Sequence, residues 1–216
     1  MATTKIKHRK RNVSPSELNA RLRNTADYLG AMVSLENEWS FAASRLDFEK
    51  QTESNRRFVR DYQAFLAASR TVRNFLFQLA DASGCRKWLD VRLSLSILRF
   101  FGEVANQELH DHDAVFSVRQ TVRWSAEYGT PWVTSPDGRL AMPKQAEVTE
   151  IGESHYFFND QELESQSLLY YEQVRREHGD QSAVILATRY YSELDQIVKN
   201  SERNNRFQEK QLGFRE

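Results

Sequence analysis

The sequence predicts a mainly α protein, an antiparallel bundle of about five helices carrying a small antiparallel β insertion. Three observations lead there. Apolar residues recur at three- and four-residue steps through most of the first half of the chain and again near its end. From Ala114 the pattern turns to β-branched and aromatic residues near every second position. Glycines and one Ser-Pro-Asp-Gly run fall where these patterns change.

Residues 1–13 include Lys5, Lys7, His8, Arg9, Lys10 and Arg11 without apolar periodicity, and are expected to form a disordered basic tail. Ser14-Pro15-Ser16-Glu17 is a capping box with proline at the first helical position, so a helix starts there. Its stripe of Leu18, Leu22, Ala26, Leu29, Val33, Trp39, Ala43 and Leu46 runs to about Lys50, with a kink expected near Gly30 or Glu36-Asn37. A second helix is expected from Glu53 to Ala82, with Phe58, Tyr62, Phe65, Leu66, Val72, Phe75, Leu76 and Leu79 facing inward and Ser83-Gly84 ending it. The third runs from near Lys87 to His110, with Leu95, Leu98, Phe101, Val104, Ala105 and Leu109 on its apolar face.

The alternation from Phe116 to Trp124 reads as a strand. Pro131–Thr134 and Arg139–Met142 flank Ser135-Pro136-Asp137-Gly138 as a hairpin, because proline presets φ and Asp-Gly accepts positive φ. Ser154–Phe158 adds a short strand. Helices return at Gln161–Glu177 and Gln181–Glu202, separated by Gly179; the second has a stripe of Val184, Ala187, Tyr191, Leu194 and Val198. The expected organisation is one domain over residues 14–204, with the β insertion at about 114–158, and a flexible end at 205–216.

Thirty basic residues balance thirty acidic ones, so the overall field selects neither a polyanion nor an anionic membrane. No stretch approaches the ~20 apolar residues that cross a bilayer, and the first residues lack a signal-peptide core, so a cytoplasmic protein without membrane contact is expected. Thirteen Phe, eight Tyr and four Trp argue against a disordered chain. The single cysteine, Cys85, makes no internal disulfide, has no nearby His–Asp pattern and is read as a bystander. Neither G-x-x-x-x-G-K-[ST] nor G-x-G-x-x-G occurs. His110-Asp111-His112-Asp113 holds four metal-ligand types, but consecutive residues past a helix end rarely converge on one ion, so neither metal nor cofactor is expected.

The site expected to carry chemistry closes the third helix. Asn106 and His110 are four apart and therefore share a side of it. The string Phe100-Phe101-Gly102-Glu103-Val104-Ala105-Asn106-Gln107-Glu108-Leu109-His110 resembles the motif helix of HEPN proteins, whose usual form is F-x-x-x-R-N-x-x-x-H. Phe101, Asn106 and His110 match, and Ala105 stands at the arginine position. The resemblance continues more weakly through Asp61–Phe77, the β-rich stretch, Tyr156-Phe157-Phe158 and the closing helix.

This resemblance implies a metal-independent endoribonuclease, of the toxin or phage-defence kind, that dimerises through the motif helix and is paired with an antitoxin or defence-system partner. In such enzymes the histidine, with an ordinary pKa of about 6.5, moves a proton at the ribose 2′-hydroxyl. The arginine holds the scissile phosphate and its developing charge, giving a 2′,3′-cyclic phosphate and a 5′-hydroxyl. By this comparison His110 is the catalytic residue and Asn106 a supporting contact. Alanine at 105 binds no phosphate, and loss of one such stabiliser costs about 10²–10³ in rate. The chain is then either a disabled nuclease or a degenerate, non-catalytic HEPN-like module binding RNA or a partner protein. Arg70, Arg73 and Arg99 are nearby sources of positive charge, with solvated faces or ion pairs as the plainer role. Of Tyr170-Tyr171 and Tyr190-Tyr191, the second of each pair is expected in the core and the first outside.

Overall fold

The computed structural model describes residues 15–108, 116–125, 133–134, 140–141 and 147–203. The basic tail, Leu109, the His110–Asp113 run and residues 205–216 lie outside them. The elements are α1 (Pro15–Ser44), α2 (Phe48–Ser83), α3 (Arg86–Arg92), α4 (Ser96–Glu108), β1 (Phe116–Ser125), β2 (Val133–Thr134), β3 (Leu140–Ala141), β4 (Glu147–Phe158), α5 (Ser165–His178) and α6 (Ala183–Arg203). This is a mainly α bundle with a small antiparallel β insertion, as the periodicities predict.

The first two helices form a long hairpin. α1 ends at Ser44 rather than near Lys50, and α2 starts at Phe48 rather than Glu53. Asp47 decides this locally, because its carboxylate accepts the Lys50 amide at 3.1 Å and caps α2. Leu46 takes a left-handed φ of 56° in the turn and is exposed instead of continuing the stripe. α1 does not break at Gly30 or at Glu36-Asn37. Its inward face runs through Met32 and Leu35, and Val33 is turned out. At the other end of α2, Gly84 adopts φ 71° and its amide bonds back to Ala80 and Asp81, the expected glycine stop.

The third helix of the sequence reading is two helices. Ser94 Oγ donates to the Val91 carbonyl at 2.6 Å, drawing the chain out of helical pairing before Ser96 restarts it. The restart resets the helical phase. Leu95 is therefore exposed, while Ile97, Leu98, Phe100, Phe101, Val104 and Ala105 are buried.

β1 pairs with β4 from Phe116↔Phe158 to Ser125↔Glu147, with irregularities after Gln120 and Arg123. The expected short strand at Ser154–Phe158 is thus the end of a longer one. β2 and β3 pair antiparallel, Val133↔Ala141 and Thr134↔Leu140, as the arms of the expected hairpin do, while its Ser135–Gly138 turn lies outside the described residues. Alternation puts Phe116, Tyr156 and Phe158 on one face, against the helices. Phe158, fully buried, meets Tyr62, Phe100, Phe101, Phe116 and Tyr171, so one strand end joins α2, α4 and α5 in an aromatic core.

Two side chains of α1 fasten β4. Glu36 Oε1 accepts the Tyr156 amide at 3.0 Å, and its second oxygen lies 3.4 Å from His155 Nδ1. Ser40 Oγ donates to the Ser154 carbonyl at 3.1 Å and accepts its amide at 2.6 Å. Glu36 and Ser40 are four apart, so one helix face satisfies successive backbone groups along the strand. α4 and α5 run antiparallel, tied by Ser96 to Glu177 at one end and by Gln107 at the other.

Candidate functional site

The last turns of α4 divide their polar residues between two faces. Gln107 is 6 % exposed; its Nε2 donates to the Glu162 carbonyl at 2.5 Å and its Oε1 accepts the Glu164 amide at 3.2 Å. Glu164 is the N-cap of α5 and supplies no side-chain cap, so Gln107 satisfies a backbone amide at the start of that helix. Asn106, one position earlier, is exposed and lines a pocket. Helical geometry alone separates them by about 100°.

The pocket lies between α2, α4 and α6 and has a volume of about 200 Å³. α2 supplies Arg70, Arg73, Asn74 and Phe77, spaced to share one helix face. α4 supplies Phe101, Gly102, Glu103, Ala105 and Asn106, and α6 supplies Tyr190. Of the expected site residues Ala105 and Asn106 line this cavity, together with Arg70 and Arg73, two of the three arginines considered as nearby sources of charge. Ala105 is 6 % exposed, so its methyl group belongs to the wall.

Arg73 is held from several sides. Its Nη1 donates to the Leu98 carbonyl at 3.3 Å, and its guanidinium lies over Gly102, where any Cβ would collide with it. Tyr190, 1 % exposed, packs its ring on Phe101 at 4.6 Å and 22°, and its hydroxyl lies near Ser69 and Arg73. Burial pushes the Tyr190 pKa up, against the opposing pull of Arg73 and Ser69, so it stays an uncharged hydroxyl at neutral pH. Among the described residues neither Arg70 nor Arg73 forms an ion pair, and Glu103 is the one carboxylate that lines the pocket. Two guanidiniums against one carboxylate leave it positive.

His110 lies outside the described residues, as does the adjoining Asp111-His112-Asp113 run. Arg99 does not join the pocket: its guanidinium stands 5.8 Å over the Tyr170 ring, on the α5 side of α4. In the last tyrosine pair the expected order is reversed. Tyr190 is buried and Tyr191 half-buried, because the inward stripe of α6 passes through Leu186, Ala187, Tyr190, Leu194, Ile197 and Val198. Tyr171 is buried as expected, stacked on Phe100 at 5.1 Å. Cys85 is buried beside the start of α3, with its thiol 3.7 Å from the Ser83 carbonyl.

Sequence reasoning missed Asn74 and Phe77, gave Gly102 no role of its own and put Tyr190 outside the core. A signal existed for the first two, since 70, 73, 74 and 77 repeat the helical step in a polar register beside the apolar one. Gly102 inside an otherwise strong helix pattern was the other, because such a glycine marks a close approach.

Among the described residues no three His, Cys, Asp or Glu side chains cluster as a metal site, and no helix is long and apolar enough to cross a membrane. No protein-family model, curated protein or solved structure matches the chain.

Proposed function

We propose that the chain is a HEPN-like RNA-binding protein of the endoribonuclease type, whose cleavage is impaired by alanine at position 105. The observation that supports this best is the convergence of two guanidiniums, Arg70 and Arg73, which form no ion pair among the described residues, on the cavity bordered by Ala105 and Asn106. Phosphate oxygens are the natural occupants of a forked, cationic pocket. In this reading the RNA backbone crosses the polar turn of α4, and His110, four positions after Asn106 in the sequence, supplies the imidazole. The imidazole takes the 2′-hydroxyl proton as that oxygen attacks phosphorus, the P–O5′ bond breaks with the 5′-oxygen taking a proton from water, and a 2′,3′-cyclic phosphate and a 5′-hydroxyl form. An arginine at 105 would steady the developing charge from the pocket wall; alanine leaves that step unsupported. A second copy joined through the motif helix, and an antitoxin or defence-system partner, belong to the same reading.

The second reading, a non-catalytic HEPN-like module that binds RNA or a partner protein, is favoured by the same residue, because Ala105 fits a wall that already holds two arginines.

One substitution separates them. Ala105→Arg is expected to give RNA cleavage that persists with a chelator present, leaving cyclic-phosphate ends, and Ala105→Arg/His110→Ala to abolish it. An Ala105→Arg protein that binds RNA but leaves it intact would retire the nuclease in favour of the module. RNA binding by the parent should weaken steeply with salt, as phosphate contacts require.

A further inference from the structure

We infer that Arg73, on α2, is the residue that holds a phosphate of single-stranded RNA in the α4 pocket, supplying from a neighbouring helix the guanidinium that position 105 lacks. The inference deepens the RNA reading and rests on it for the identity of the phosphate-bearing ligand. Its physical basis is the way Arg73 is held.

A long side chain normally loses most of its rotamer freedom when it binds an anion, which weakens surface arginines as phosphate ligands. Arg73 has already lost it. The Leu98 carbonyl accepts from one nitrogen at 3.3 Å, the buried Tyr190 lies beside the group, and Gly102 removes the side chain that would occupy its place on α4. One carbonyl does not exhaust five N–H donors. Nor is the charge neutralised, because among the described residues no carboxylate pairs with Arg73, including Glu103 in the same pocket. A half-buried guanidinium without a counter-ion is costly unless a ligand brings one.

The surroundings fit a phosphate. Arg70 lies one helical turn before Arg73, and the Asn74 and Asn106 amides add uncharged donors. The cavity's volume of about 200 Å³ leaves room for a phosphate group. Neutral Tyr190 leaves the positive charge uncancelled.

The test uses the full chain and a short single-stranded RNA. Arg73→Gln should weaken binding by about tenfold or more and lower the log–log salt slope by ~0.7, one phosphate contact fewer. Gly102→Ala should preserve or raise thermal stability, because alanine favours helix and the group it meets is the end of a flexible side chain. It should nevertheless lose affinity, because the new methyl group evicts the guanidinium. A purely structural Arg73 would not divide binding from stability in this way. If Arg73→Gln does not fold, Gly102→Ala carries the test.

If the parent binds RNA in a salt-dependent way and Gly102→Ala and any folded Arg73→Gln bind equally well, the assignment of Arg73 is overturned while RNA binding stands. If the parent binds no RNA, the RNA reading falls and inorganic phosphate decides the rest. A rise in melting temperature over chloride at equal ionic strength, absent in Gly102→Ala, keeps Arg73 as an oxyanion ligand; no rise removes it.

Discussion

Gln107 and Asn106 are adjacent, similar in chemistry and different in role. Gln107 turns into the bundle and trades two backbone hydrogen bonds with the segment entering α5, whereas Asn106 turns to the pocket. Replacing Gln107 by alanine leaves a carbonyl and an amide near the start of α5 without their partner, at about 1–3 kcal/mol for each group that water does not reach. Gln107→Ala is therefore expected to lower stability by about 2 kcal/mol or more in denaturant unfolding, while Asn106→Ala changes it by less than about 0.5 kcal/mol. Equal effects would contradict the division of the two faces. The sequence placed both residues at a helix end, but not on which side each lies. That depends on where α5 docks, a contact more than fifty positions away in the chain.

Elements in this fold are joined by side chains that stand in for backbone. Glu36 and Ser40 of α1 act toward β4 much as a neighbouring strand would, taking the amides of Tyr156 and Ser154. Glu36→Ala removes a charge-assisted bond to a buried strand, worth about 1.5–3 kcal/mol. The expected outcome is faster hydrogen exchange at the Tyr156 amide and a fall in global stability of that order. Unchanged exchange would mean that β1 alone holds β4. At this scale the helices were legible from apolar spacing and the strands from alternation, and Gly84 and Gly179 mark helix ends as expected. The α3–α4 break was not, because Leu93, Leu95 and Leu98 keep an apolar rhythm across it. A serine hydroxyl competing for a carbonyl overrides that rhythm locally. Glu36-Asn37 misled in the opposite direction: a polar pair on a helix reads as weakness, and here its glutamate is the anchor.

Across the whole molecule, equal numbers of acids and bases conceal an uneven arrangement. Some arginines meet carboxylates, such as Arg86 with Asp81 and Asp90, while others, Arg70 and Arg73 among them, do not among the described residues. The aromatic core sets a second molecule-wide property. Burial is the main cause that raises the phenol pKa values of Tyr156, Tyr171 and Tyr190, with Tyr171 pushed up to about 12 from the ordinary 10. A phenol that holds its proton more tightly folded than unfolded contributes its full stability below about pH 10 and loses it as pH climbs through the folded value. Chemical denaturation should therefore give little tyrosine-linked change below pH 10 and a progressive loss from pH 10 to 12; a flat profile would mean the rings ionise as freely as in water.

The chain's own order of residues determined a mainly α bundle, the small β insertion, and a polar helix end where Ala105 and Asn106 meet. These follow from periodicity and capping, which act over a few residues and are written locally. Tertiary structure alone decided that Arg73 is received by Gly102 and Tyr190, that Gln107 serves α5, and that Tyr190 rather than Tyr191 enters the core. Each depends on how helices distant in sequence rotate against one another, and that rotation is set by the packing of the shared aromatic core, which no single segment encodes.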